Sequence, residues 1–176
     1  PSELKYWVGF TLIPGVGRAR VALLEQEFGT LSRAWEAPAE ALQRAQMDRR
    51  TISSILRYRT SIDLDAQMEK LSALQIQPLT WHDPQYPELL RQIYDYPAVL
   101  YVRGELRPED GTAVAVVGTR KASAYGREAT DQIVRGLAHN KVTVVSGLAR
   151  GIDTTAHKAA LDAGGRTIAV MACGLD

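Results

Sequence analysis

The chain has 176 residues, 45% of them hydrophobic and 23% charged, with one cysteine and a net charge of +1. This is a globular profile of one or two domains with enough apolar surface for a core, and it excludes an internal disulfide, a cysteine-based zinc site and the global basic field of a histone-like chain. No stretch is apolar over the length that spans a bilayer, and Pro1-Ser2-Glu3-Leu4-Lys5 does not open a signal peptide, so the expected location is cytoplasmic, with no membrane contact.

Residues 2–75 read as a run of short helices. Ser2 is placed to cap a first helix that reaches about Leu12. Val21, Leu24 and Phe28 recur at helical spacing over residues 18–28, and Gly29 stops that helix. Short helices are predicted over 31–35 and 38–45. Asp48 caps another that runs to about Tyr58 with Ile52, Ile55 and Leu56 inward, and the last spans 63–74. Between the first two helices, Leu12-Ile13-Pro14-Gly15-Val16-Gly17-Arg18-Ala19-Arg20 makes a Gly-x-Gly connection with apolar flanks. It is similar to the helix-hairpin-helix, which grips a DNA phosphate without reading sequence, and makes Gly15, Gly17, Arg18 and Arg20 a candidate secondary DNA contact. A plain tight connection in a helical bundle accounts for the same glycines.

The texture changes at Ile76-Gln77-Pro78-Leu79-Thr80-Trp81, a predicted strand, followed by the turn-rich Asp83-Pro84-Gln85-Tyr86-Pro87 and a second strand over 97–102. From Ala113 the pattern alternates: strand Val114-Ala115-Val116-Val117, helix over about 123–140, strand Val142-Thr143-Val144-Val145, helix over about 152–163, strand over 167–171. This is the α/β, doubly wound, Rossmann-like parallel pattern, whose Val-rich runs suit strands buried on both faces. The expected domains are a helical one over 1–75 and, over 76–176, the amino-terminal portion of a Rossmann-like domain. The third strand releases at Cys173-Gly174-Leu175-Asp176, so the sheet reads as truncated on its carboxyl-terminal side. Residues 113–176 hold 8 Lys and Arg against 5 Asp and Glu, whereas residues 81–112 hold 3 against 6, so the positive excess sits in the Rossmann-like part.

The first two strands of that part each run into a glycine turn that carries an arginine. Gly118-Thr119-Arg120, followed by Lys121, is the first; Ser146-Gly147-Leu148-Ala149-Arg150-Gly151, leading into Ile152-Asp153, is the second. Such turns before helices place bare amides where anions bind, successive units of one sheet bring them side by side at the carboxyl edge, and the arginine forks fit phosphate oxygens. The candidate phosphate site therefore comprises these ten residues, with Lys158 adding longer-range attraction. Gly151 permits close approach, and Asp153 caps the next helix, with His157 four residues on sharing its face. Ser146, Asp153 and His157 together suggest a nucleophilic triad, but the Gly-x-Ser-x-Gly elbow is absent, Val144 standing where its first glycine belongs. The remaining histidines, His82 and His139, lie in other elements with no carboxylate cluster to join them, so no metal is expected. Neither Gly-x-Gly-x-x-Gly nor a Walker loop follows a strand, so no nucleotide cofactor and no catalytic residue are expected.

Together, Val116-Val117-Gly118-Thr119-Arg120 with Ser123, Tyr125 and Gly126, Val145 through Asp153, Ala156-His157, Ala160-Leu161 and Gly164-Gly165-Arg166-Thr167-Ile168-Ala169-Val170 resemble the DNA-processing protein A (DprA, or Smf) family. Asp83, Tyr86-Pro87, Leu90, Pro97, Leu100-Tyr101-Val102 and Gly104 resemble the approach segment of the same family. Met171-Ala172-Cys173-Gly174 departs from it, standing where a Leu-Gly turn is frequent. The resemblance implies an extended Rossmann-like domain after a sterile-alpha-motif-like helical module, binding of single-stranded DNA without known enzymatic activity, protection of incoming strands in natural transformation, loading of the RecA recombinase, and a homodimer formed largely through regions outside these residues. It places the phosphate pocket on Gly118, Thr119 and Arg120 and on Ser146 through Gly151. Two rivals remain: a nucleotide-handling Rossmann enzyme, such as a phosphoribohydrolase of the lysine-decarboxylase-like group, whose Pro-Gly-Gly-x-Gly-Thr loop is missing here, and a purely structural interaction module.

Overall fold

A computed structural model describes residues 2–175. They form two compact units that divide between Glu105 and Leu106.

The first unit opens with six helices: α1 (Ser2–Thr11), α2 (Arg18–Phe28), α3 (Leu31–Glu36), α4 (Ala39–Arg44), α5 (Arg49–Tyr58) and α6 (Leu64–Ala73). Their starts follow the chemistry of the residues before them. Thr30 accepts from the Arg33 amide, Asp48 from Thr51 and Asp63 from Ala66, each satisfying a donor that the helix itself leaves open. The cap expected of Ser2 rests on a side chain outside the described residues. Phe10, Leu24, Leu31, Leu42 and Ile55 are fully buried in one core, where Trp35 meets Phe10 edge-on with centroids 5.1 Å apart.

Two antiparallel strands, β1 (Ile76–Thr80) and β2 (Val99–Arg103), pair from Ile76 with Arg103 to Thr80 with Val99. Their connection carries a one-turn helix, α7 (Glu88–Arg91), unforeseen in the sequence, and is pinned where the Tyr86 hydroxyl donates to the Pro97 carbonyl at 2.9 Å. Ala98 and Val99 are buried in the helical core, Trp81 and Tyr101 pack against it, and the hydroxyls of Thr11 and Tyr101 lie 2.9 Å apart. A two-stranded ribbon buries too little to stand alone, so it joins the helices. The two compact units therefore divide after residue 105, with the ribbon on the helical side.

The second unit begins with a 3₁₀ turn (Pro108–Gly111) and continues as β3 (Ala113–Ala115), α8 (Ala124–His139), β4 (Thr143–Ser146), α9 (Ile152–Asp162) and β5 (Thr167–Ala169). The strands are parallel in the order β3-β4-β5, with Ala115, Val145 and Ile168 in one row. Pairing continues beyond the strand ends, from the Val116 amide to the Val145 carbonyl and from the Val170 amide to the Ser146 carbonyl. Both helices pack on each other and on β4, around Val134, Val144, Ala156, Ala159 and Ala160. They therefore share one face of the sheet. Burial on both faces, expected for each Val-rich run, is not what the described residues show: β4 is largely buried, but β3 is exposed throughout. Two consecutive crossovers cover one face of this three-stranded parallel sheet.

At the amino-terminal ends of the strands, Asp110 takes Arg166 Nη2 at 2.7 Å, the Thr143 hydroxyl at 3.0 Å and the Arg107 amide at 2.8 Å. Hydrogen bonding from the Arg166 guanidinium, reinforced by these donors, holds the Asp110 carboxyl down at about 2. That knot closes the end of the unit opposite the glycine turns.

Candidate functional site

The two glycine turns touch, as the sheet order requires. The Ile152 amide donates to the Thr119 carbonyl at 3.2 Å, and a Cβ at Gly118 would stand 2.6 Å from the Ile152 side chain. Gly151 has φ +86° and ψ −125°, and a Cβ there would lie 2.2 Å from the Thr119 carbonyl oxygen and 2.7 Å from that of Arg120. Glycine at 151 is thus required by close approach, but what approaches is the first turn, not a ligand.

Arg120, Lys121, Arg150, Gly151 and Lys158 line one cleft of about 640 Å³, within the range of small-ligand sites. Arg127, Thr154 and Thr155 join them, with Asp131 and Asp162. The cleft follows the groove between α8 and α9. Residues 127 and 131 of α8 and residues 154, 155, 158 and 162 of α9 form one stripe along each helix, a spacing present in the sequence but without a known partner helix. Among the described residues no carboxylate lies within ion-pair distance of Arg120, Lys121, Arg150 or Lys158, and all four are exposed. Arg127 Nη1 donates to the Ala122 carbonyl at 2.5 Å, which ties it to the first turn. The two acids are balanced by Arg135, whose Nε lies 2.7 Å from Asp131 and whose Nη2 lies 3.8 Å from Asp162.

Gly118, Thr119, Ser146, Gly147, Leu148 and Ala149 do not line the cleft. Some of the amides expected to form a cradle are engaged inside the protein. Gly147 and Ala149 donate to Asp153 Oδ2 at 3.2 and 3.4 Å, Ile152 donates to Thr119, and Thr154 donates to Ala149. Asp153 therefore does not cap α9, whose N-cap is Gly151. Its buried carboxylate fastens the second turn from beneath, since two converging amides near a helix start offer a better site for that charge than one.

Ser146, Asp153 and His157 form no relay. The buried Ser146 hydroxyl donates to the Val116 carbonyl at 2.7 Å, across to the neighbouring strand end, and Asp153 is turned to the amides. His157 Nδ1 lies 2.7 Å from the Thr167 hydroxyl, its Nε2 is buried without a partner, and burial pushes its pKa down against the pull of Asp153. The side chain packs α9 onto β5. Among the described residues no three His, Cys, Asp or Glu side chains gather as a metal site.

In the first unit, the hairpin between α1 and α2 lines a shallow hollow of about 500 Å³. Arg20 donates to the Gly15 carbonyl and pairs with Asp48 at 2.7 Å, and the Arg18 guanidinium lies over the Tyr96 ring at 4.0 Å. Both arginines have internal partners.

The sequence model of the family described as DNA recombination-mediator protein A matches residues 77–176. Protein Smf of Synechocystis sp. is 38% identical over 180 residues, covering 99% of this chain and 45% of that protein. The X-ray structure of DNA processing protein A from Streptococcus pneumoniae superposes with a TM-score of 0.77 at 31% identity, covering 98% of this chain and 59% of that one. A structure of DNA processing protein A from Helicobacter pylori, described for its single-stranded DNA binding mode, gives a TM-score of 0.50 at 33% identity over 58% of this chain and 45% of that one. The chain thus spans about half the length of the relatives it matches.

Proposed function

The chain belongs to the DNA recombination-mediator protein A family, and from that premise we propose that it binds single-stranded DNA through the cleft between α8 and α9. The observation that carries this reading is the convergence of Arg120, Lys121, Arg127, Arg150 and Lys158 on one cleft, none of them within ion-pair distance of a carboxylate among the described residues. Guanidinium and ammonium groups on a half-open groove attract a phosphate backbone without reading bases. Because Asp153 takes the Gly147 and Ala149 amides and the cleft is lined by the long cationic side chains, those side chains hold the phosphates and the turns position them. On the same reading the protein acts without catalysis, works in the cytoplasm, protects incoming strands, delivers them to the RecA recombinase and pairs as a homodimer. Division into a helical domain and a Rossmann-like DNA-binding domain accompanies it.

The test is fluorescence anisotropy with a single-stranded oligonucleotide, a duplex and a mononucleotide over a series of salt concentrations. Five cations set an upper limit of about 3.5 on the log-log salt slope, at about 0.7 per phosphate neutralised, and replacing Arg120 and Arg150 by Ala lowers it by about 1.4. Salt-insensitive binding, or a double variant that binds like the wild type, overturns the reading. Tight mononucleotide binding with release of free base supports the phosphoribohydrolase class instead.

A further inference from the structure

The cleft is not positive along its whole length. Because β3 and β4 are parallel, α8 and α9 both start at the glycine turns and run away from them in the same direction. Arg120, Lys121 and Arg150 stand on the turns, and Arg127 lies in the first turn of α8. The two carboxylates that line the cleft come further on: Asp131 is one helical turn beyond Arg127, and Asp162 is the last residue of α9. Positive charge therefore gathers at the end with the turns, and negative charge at the other.

Arg135 follows Asp131 by four residues on the same stripe of α8, about 6 Å further from the turns at a rise of about 1.5 Å per residue. Without the acids it would continue the cationic lane that Arg127 begins. Instead its Nε lies 2.7 Å from Asp131 Oδ2 and its Nη2 lies 3.8 Å from Asp162 Oδ2, so the guanidinium reaches from α8 to α9 and faces two carboxylates. The hydrogen bond to Asp131, then the charges of Asp131 and Asp162, raise its pKa. Two carboxylates against one guanidinium leave one negative charge at this end of the groove. All three side chains are accessible, at 41–67% exposure, and exposed pairs of this kind add little to stability. Their effect falls on the cleft that two of them line.

We infer that Asp131 and Asp162 are a stop for the phosphate backbone: they engage Arg135, leave a negative charge at the far end of the groove, and so confine a bound strand's phosphates to the end with the turns. This rests on the reading of the cleft given above. Like charge set against a ligand excludes the wrong placement rather than strengthening the right one. The stop therefore fixes how many phosphates the cleft accepts, which the cations alone would leave to the length of the groove.

The experiment measures the log-log salt slope of binding by the full chain to oligo-dT of increasing length, over about 50 to 200 mM salt. The slope counts phosphates neutralised, and extra registers on a longer strand leave it unchanged. In wild type it should level off at a short length. The Asp131→Asn, Asp162→Asn double variant removes the stop and frees Arg135, so its slope should level off at a longer strand and about 0.7 higher, and its advantage over wild type should shrink about 2.6-fold across that salt range. Adding Arg135→Ala should return both the length and the slope to wild type. Circular dichroism melts check that each variant is folded. A double Asn variant that levels off at the wild-type length and slope overturns the inference, as does a triple variant that keeps the gain. The Arg120→Ala, Arg150→Ala double variant should lower the levelled slope. If it does not, the cleft reading fails by itself; if it does while the Asn variant matches wild type, the stop alone fails.

Discussion

Gly151→Ala is the substitution that most directly tests whether the two turns act as one body. The new Cβ would sit 2.2 Å from the Thr119 carbonyl oxygen and 2.7 Å from that of Arg120. Restoring ordinary contact moves that backbone by about 1 Å, an overpacking that costs about 1–3 kcal/mol. At φ +86° and ψ −125°, an L residue adds conformational strain of about 1–3 kcal/mol. The sum is about 2–6 kcal/mol, against roughly 4–10 kcal/mol for the whole stability of a unit of about 70 residues. A loss of even 2 kcal/mol lowers the melting temperature of a domain this size by about 8 °C or more. The same movement breaks the bond from the Ile152 amide to Thr119 and carries Arg120 out of register with Arg150. Thermal melts followed by circular dichroism, with anisotropy on oligo-dT well below the transition, read both consequences. A variant that melts within about 2 °C of wild type and binds equally well refutes the contact between the turns.

The Asp110 knot gives a pH test. Its folded pKa, about 2, lies below its ordinary value of 3.8, so its contribution is complete above about pH 4 and is lost as pH falls through 2. With the carboxylate 11% exposed, the contribution is about 1–2 kcal/mol after solvent screening. Asp110→Asn should melt several degrees lower at neutral pH and converge with wild type near pH 2, whereas melting curves that run parallel down to pH 2 sink the assignment. In the first unit, Arg20→Ala should lower the melting temperature, because Arg20 ties the hairpin to Gly15 and Asp48, while affinity for single-stranded DNA stays within about twofold, a change under about 0.4 kcal/mol. A several-fold loss of affinity in a folded variant instead makes the hairpin a DNA contact.

Local chemistry made most of the elements legible. Asp48 caps the helix expected of it, Asp63 and Ser123 cap helices expected to begin at their positions, and the alternation from Ala113 onward gives the observed strand–helix order with ends off by one or two residues. What stayed hidden depends on partners distant in sequence. The ribbon of β1 and β2 reads as the start of a new domain because its composition changes at Ile76, yet Ala98 and Val99 find their apolar partners among the preceding helices. Arg127 and Thr155 were invisible as site residues because a stripe along one helix acquires meaning only when a second helix lies beside it.

The second turn is the instructive case, because the sequence assigns its residues to an amide cradle while the structure engages two of those amides internally. Three glycine or small-residue positions before a helix predict free amides, but Asp153 lies three residues beyond Arg150, close enough for its carboxylate to fold back under the turn and collect the amides of Gly147 and Ala149. An internal anion there leaves those donors nothing to offer a phosphate. It also holds Leu148 in its left-handed conformation and leaves Arg150 on the cleft. On the proposed reading the turn is a rigid mount for side chains, and recognition falls to groups whose charge, unlike an amide dipole, is full and screened by salt. A steep salt dependence is thus the signature that separates this arrangement from an amide cradle built on the same sequence motif.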